Sequence, residues 1–230
     1  MYGIETRIDA GEILISASQS DASRSAAQKF DLSRVVDIIV AAAALVFIGP
    51  LMLLVALAIK LQDGGPVLFG HVRIGRDGRT FRCLKFRSMV VDSNERLQAL
   101  LARDEAARRE WAADHKLRND PRVTRLGTFL RKSSVDELPQ LINVLRNEMS
   151  LVGPRPIVES EIVRYGRAFS RYCSVRPGVT GLWQVSGRNN VSYRRRVALD
   201  VLYARRRSFR LYCYIMLKTI PAVLLREGSY

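Results

Sequence analysis

Histidine and cysteine are scarce in this chain. Its 230 residues include two histidines, His71 and His115, and three cysteines, Cys83, Cys173 and Cys213. The cysteines are odd in number, far apart and in no CxxC pattern, which argues against a disulfide framework and against a zinc site of the usual spacing. A reduced, cytosol-facing protein is the simplest reading. Acid is also short: 22 Asp and Glu stand against 37 Lys and Arg, a net charge of +15. Such an excess predicts an anionic partner, whether nucleic acid, an acidic membrane surface or a phosphorylated substrate. At 48% hydrophobic and 26% charged residues the composition is globular, and the length allows one large core. No internal repeat is visible, and the first residues lack the basic start and short apolar core of a signal peptide.

Residues 1–30 show no sustained period and carry an Ala/Ser-rich stretch from Ser16 to Ala27, which reads as a flexible N-terminal tail. Charge is absent from the 22 residues Ile38 to Ile59, enough for ~33 Å of helix against a hydrocarbon core of ~30 Å. Gly49-Pro50 sits mid-run, where proline removes a helix hydrogen bond and predicts a kink. Both flanks are basic: Arg24, Lys29 and Arg34 before, Lys60, Arg73, Arg76 and Arg79 after. The positive-inside tendency then places both ends on the cytoplasmic side. A re-entrant helix over 31–62, dipping in, bending at Gly49 and Pro50 and returning, satisfies both features better than a span. Asp37, one turn inside the entry, is expected near the interface.

Residues 63–230 follow as one domain. Asp63-Gly64-Gly65-Pro66 stops the helix. Val67 to Met89 alternates apolar and basic residues around Gly75 and Asp77-Gly78, predicting short strands. Asp92 to about Lys116 has a helical period ended by Asn119-Asp120-Pro121. Near the C-terminus, Arg194-Arg195-Arg196 and Arg205-Arg206-Arg207 bracket apolar residues, and Leu211 to Leu225 is apolar but for Lys218. A basic amphipathic helix on anionic lipid fits, as do a nucleic-acid arm and a solvated basic face over a packed helix. The fold class expected is mostly α with a few short strands.

The residues richest in chemistry lie between Arg131 and Pro156. Asp136-Glu137 precede Pro139, which fits a helix's first turn and not its interior. Two adjacent carboxylates therefore sit at a helix N-terminus, where the anionic form is favoured. Ser134 to Glu137 also matches a capping box, so catalysis and capping both fit these residues. Gly153-Pro154-Arg155-Pro156 is a rigid turn that holds one guanidinium outward, suited to a phosphate or a flat base. Lys85-Phe86-Arg87-Ser88, Arg176-Pro177-Gly178 and Gly187-Arg188 add further cations. Together with the acidic pair and the membrane dip, they suggest an anionic substrate taken at the bilayer surface.

Five segments carry a resemblance. They are Lys85-Phe86-Arg87-Ser88-Met89; Asn119-Asp120-Pro121-Arg122 with Thr124; Asp136-Glu137-Leu138-Pro139-Gln140; Met149 to Pro156; and Arg176 to Val185. In this order, over roughly residues 31–225, they resemble the small monotopic bacterial polyprenyl-phosphate phosphoglycosyl transferases of the bacterial sugar transferase family. Asp63-Gly64-Gly65-Pro66 and Gly70-His71 look most like the subgroup that starts exopolysaccharide repeats, whose usual donor is UDP-galactose.

The resemblance implies a monotopic membrane protein on the cytoplasmic face of the bacterial inner membrane. Its parts would be a kinked re-entrant helix, interfacial amphipathic helices and a cytoplasmic catalytic domain, without the extra spanning helices of larger relatives. It implies that Asp136 attacks the β-phosphate of a UDP-sugar, releasing UMP, and that undecaprenyl phosphate then takes the sugar phosphate. Glu137 would bind Mg²⁺. Arg155, between Pro154 and Pro156, would contact the nucleotide, with Lys85, Arg87, Arg131, Arg176 and Arg188 as further phosphate candidates. The product would pass to downstream glycosyltransferases, a symmetric homodimer is compatible with the chain, and nucleic acid is not an expected partner. A membrane-tethered nucleic-acid binder would explain the charge but not Asp136-Glu137 or the Arg155 turn.

Overall fold

The computed structural model describes residues 31–114, 117–187 and 191–224. The tail assigned to residues 1–30, and Arg188, lie outside them. The apolar run forms helix α1, Leu32–Asp63. It ends as its residues dictate: Gly64 takes a positive φ of 71° and donates its N–H to Lys60 O at 2.9 Å, while Asp63 Oδ1 accepts from Gly65 N–H at 3.1 Å. Helical assignment is continuous through Pro50. Both ends of α1 pack against the rest of the chain. Ala41, with Val36, Ala44 and Leu45, joins the main core, and Val55 and Ile59, with Met52 and Ala56, join a second cluster. Between them Val46 and Phe47 are 80% and 89% exposed.

Strands β1 (Leu68–Ile74) and β2 (Thr80–Phe86) form an antiparallel hairpin with Leu68 opposite Phe86 and Ile74 opposite Thr80. Asp77 and Gly78, both at positive φ, reverse the chain between them. Helices α2 (Ser93–Arg103) and α3 (Glu105–Asp114) occupy the stretch expected as one helix. Asp104 is extended at the junction; its N–H closes α2 on Leu100 O and its Oδ1 accepts from Ala107 N–H, so one residue stops one helix and caps the next. Then come α4 (Arg125–Ser133) and α5 (Gln140–Leu145). Strand β3 (Ser150–Val152), the short helices α6 (Ile162–Tyr165) and α7 (Phe169–Cys173), strand β4 (Gly178–Thr180) and α8 (Leu182–Val185) complete the middle of the domain, with β3 and β4 parallel.

The basic C-terminal stretch is two helices, α9 (Tyr193–Arg206) and α10 (Phe209–Leu224). Asp200 and Tyr203 of α9 and Tyr212 and Ile215 of α10 are buried, while Phe209, Tyr214, Leu217 and Ile220 remain exposed. Their inner faces join Ala41, Val144, Met149 and Val152 in the main core.

The tie between α1 and this core is polar. Asp37 is 1% exposed, and its Oδ1 accepts Leu151 N–H and Tyr212 O–H, both at 2.8 Å. Arg34 lies 3.9 Å from Asp37 Oδ2 and reaches the Met149 and Leu145 carbonyls. A buried carboxylate persists only with such partners, so Asp37 anchors α1 to β3 and α10 instead of sitting at an interface. Replacing Asp37 by Ala strands two buried donors and should cost about 2–4 kcal/mol of unfolding free energy. Tyr212→Phe should cost about 1 kcal/mol. Denaturant unfolding of the detergent-solubilised protein checks both, and unchanged stability of Asp37→Ala would refute the anchor.

Candidate active site

The site begins at a reversal between α4 and α5. Ser134 closes α4 in the left-handed region, φ 58° and ψ 14°, a conformation that costs a serine on the order of 1 kcal/mol. The chain then enters a tight 3₁₀ turn, Val135–Glu137, in which Glu137 N–H donates to Ser134 O and Leu138 N–H to Val135 O at 3.2 Å. Pro139 follows as the residue that opens α5, where its missing N–H removes no bond. The helix proper therefore starts a few residues later than the sequence suggests. The capping box does not form. Ser134 makes no side-chain bond to the turn, and Glu137 reaches across to β2.

Lys85 of β2 meets it. The Lys85 ammonium pairs with Glu137 Oε1 and stands 3.9 Å from Asp136 Oδ2. Asp136 is 7% exposed, whereas Glu137 and Lys85 are half-buried. Burial pushes the Asp136 carboxyl above its ordinary value. Lys85 opposes this, Glu137 reinforces it, and Arg131 opposes it again. Arg131 is exposed and donates its Nε–H to Ser88 Oγ at 2.8 Å. Lys85, Arg131, Asp136 and Glu137 thus form one group: a poorly solvated carboxylate, a more accessible one, and two cations.

The Arg155 turn is built separately. Gly153 N–H donates to Thr180 O at 2.9 Å and Gly178 N–H to Pro154 O at 2.8 Å. A Cβ on Gly153 would come within 2.4 Å of Arg176 O, so only glycine permits this approach. Tyr203 O–H holds Val152 O at 3.0 Å, and Arg73 holds Pro156 O at 3.2 Å. Pro154 and Pro156 are buried and Arg155 is half-buried, with no hydrogen bond among the described residues. His71 of β1 is held below its ordinary pKa first by burial and then by the charges of Arg73, Lys85 and Arg155.

Other candidates fall elsewhere. Arg87 pairs in two-pronged fashion with Asp63 at the end of α1, one prong at 2.8 Å. Arg176 borders the turn through its carbonyl beside Gly153. Gly49 and Pro50 lie inside α1. Sequence reading missed Arg73, Asn143 and Asp200. Asn143 stands seven residues after Asp136 among apolar α5 residues and is fully buried, a polar break in an apolar face that could have drawn notice.

The sequence model described as bacterial sugar transferase matches residues 28–226. A UDP-galactose-lipid carrier transferase of Erwinia amylovora is 51% identical over 199 residues, covering 86% of this chain and 42% of that protein. The exopolysaccharide production protein ExoY of Sinorhizobium fredii is 51% identical over 194 residues, 84% of this chain and 86% of its own length. An undecaprenyl-phosphate galactose phosphotransferase of Salmonella typhimurium is 50% identical over 199 residues, again 86% of this chain and 42% of the relative. The chain thus spans less than half the length of two of these three proteins.

A buried carboxyl behind the Arg155 turn gives this region a pH signature. Asp200 accepts Tyr165 O–H at 2.7 Å, and its other oxygen has no hydrogen-bond partner. Burial drives its pKa up to about 7, against opposition from the Tyr165 hydrogen bond and the Arg155 charge. The folded state then holds a proton that the unfolded chain, at an ordinary ~4, releases. Its contribution to stability is present below pH ~4 and is lost as pH rises through about 7. Asp200→Asn should flatten that slope in melting temperatures taken from pH 5 to 8; an unchanged slope would refute the assignment.

Proposed function

The chain belongs to the bacterial sugar transferase family, and we propose that it transfers a sugar 1-phosphate from a UDP-sugar to undecaprenyl phosphate, releasing UMP, as the first membrane step of an exopolysaccharide repeat. The observation that carries this reading is the buried Asp136 carboxylate beside Glu137 and the Lys85 ammonium. Galactose rests on the similarity to the Erwinia UDP-galactose-lipid carrier transferase and the Salmonella galactose phosphotransferase.

The chemistry runs in two displacements. An Asp136 carboxylate oxygen attacks the β-phosphorus of the donor, the bond from that phosphorus to the bridging oxygen breaks, and UMP leaves with the electron pair. A phosphate oxygen of the lipid then attacks the same phosphorus, and the carboxylate of Asp136 is released. Low solvation suits Asp136 to nucleophilic attack once its proton is gone. Lys85 and Arg131 offset charge on the diphosphate, and Arg155 on its stiff turn orients the nucleotide. The donor set fits Mg²⁺, which takes hard oxygen ligands, commonly one or two carboxylates plus substrate phosphates. Glu137, with Asp136 adjacent, is the residue that would hold it, with the substrate phosphates as further ligands. When bound, the ion would neutralise charge on the breaking anhydride.

The enzyme would work at the cytoplasmic face of the inner membrane, with α1 re-entrant. Packing of both ends of α1 on the rest of the chain, with the exposed stretch around Phe47 between them, supports this arrangement. Exposed apolar residues of α10 and the basic excess suit an anionic lipid surface. The lipid-linked product would feed downstream glycosyltransferases.

Asp136→Asn should reduce protein labelling by UDP-galactose carrying radioactive β-phosphate on the order of 10³-fold or more. Label retained at another residue would reassign the nucleophile. Glu137→Gln should weaken Mg²⁺ dependence and turnover while leaving the melting temperature nearly unchanged. Tags at both termini should be reachable from the cytoplasm alone; a periplasmic N-terminus would make α1 a span.

A further inference from the structure

We propose that Asn143 is a positioning residue for the transfer: its buried amide sets β2 against α5 and thereby places the Lys85 ammonium opposite Asp136 and Glu137. The assignment rests on the functional reading above and adds a residue that touches no reacting atom.

Among the described residues strand β2 is paired along one edge only, by β1. At its other edge the Asn143 side chain takes the place of a third strand. Asn143 Oδ1 accepts Leu84 N–H at 2.9 Å, and Asn143 Nδ2 donates to Arg82 O at 2.8 Å. A primary amide presents a donor and an acceptor side by side, as a backbone peptide does, so one side chain finishes both exposed groups. The second Nδ2 proton goes to Glu148 Oε2 at 2.6 Å, and the Asn143 carbonyl accepts from Glu148 and Met149 N–H at 3.0 and 3.2 Å. With no exposed surface on Asn143, water cannot replace a lost partner.

The lock stands close to the chemistry on both sides. Leu84 is the residue before Lys85, and Asn143 lies seven residues, about two turns, after Asp136. A shift of β2 against α5 therefore moves Lys85 relative to the two carboxylates. The attraction across the 3.9 Å gap to Asp136 falls with distance, and misplacement by about 1 Å can cost about 10²-fold in rate.

Asn143→Asp keeps the shape but removes both donors and sets a carboxylate against Arg82 O and the Glu148 carboxylate. Pairing it with Glu148→Gln removes the like-charge contact and supplies a donor, yet leaves Arg82 O without one. The double variant should melt above the Asn143→Asp single variant and below the wild type, by the penalty of the unsatisfied Arg82 O. It should still form the hexose-phosphate adduct from UDP-galactose about 10²-fold more slowly, with KM for UDP-galactose changed less than about threefold. Single-turnover adduct formation, followed by intact mass beside the wild type, reads this. A stable double variant that labels at the wild-type rate overturns the assignment alone, as does one whose whole loss lies in KM. A wild type that forms no adduct from any UDP-sugar overturns the functional reading and takes the role of Asn143 with it.

Discussion

A carboxylate that is almost wholly buried can be charged only where cations stand close, and Asp136 imposes that condition on its neighbours. Lys85 must arrive from a strand some fifty positions earlier, and Arg131 from the helix just before. Glu137, next in the chain, shares the same lysine. The left-handed Ser134 and the 3₁₀ turn after it supply the local geometry, presenting two consecutive acids at the mouth of α5 without spending either on a helix cap. What results is a carboxylate short of solvation beside one that remains accessible. On the proposed function the first would attack phosphorus and the second would hold a divalent cation.

The same logic holds for the long apolar helix. Helix α1 is apolar enough to enter a bilayer, yet it is tied to the domain by a buried carboxylate, Asp37, which receives a backbone N–H of β3 and the hydroxyl of Tyr212. Strand β3 leads directly into the turn that carries Arg155. The position of α1 and that of Arg155 are therefore linked, since Leu151, which donates to Asp37, stands four positions before Arg155. Because Arg87 is engaged by Asp63 at the far end of α1, both ends of this apolar helix are fastened to the rest of the chain.

Local chemistry made much of this legible in the sequence. Asp63-Gly64-Gly65-Pro66 stops a helix by local chemistry, and Pro139 fits a helix's opening turn better than its interior, so the end of α1 and the acidic pair ahead of α5 could be read directly. Long-range partners could not. Whether Glu137 bonds backward to Ser134 or across to Lys85 depends on β2, and only the folded chain decides for Lys85. Asp37 looked interfacial because the donors it accepts from lie 114 and 175 positions away. The basic run of α9 hid an inward face, since the arginines of its outer face dominate the composition while Asp200 and Tyr203 do the packing. Motif resemblance named the family and the acids, and it said nothing of Asn143, whose role exists only once β2 has an unpaired edge.

The central claim is that Asp136 carries the sugar phosphate between donor and lipid. The most direct test is the intact mass of the purified protein after UDP-galactose and Mg²⁺ without any lipid acceptor. The account predicts a gain of one hexose phosphate, lost again when undecaprenyl phosphate is added. An unmodified mass with every UDP-sugar, with UMP appearing only when lipid is present, would contradict it and make Asp136 a base in a direct transfer.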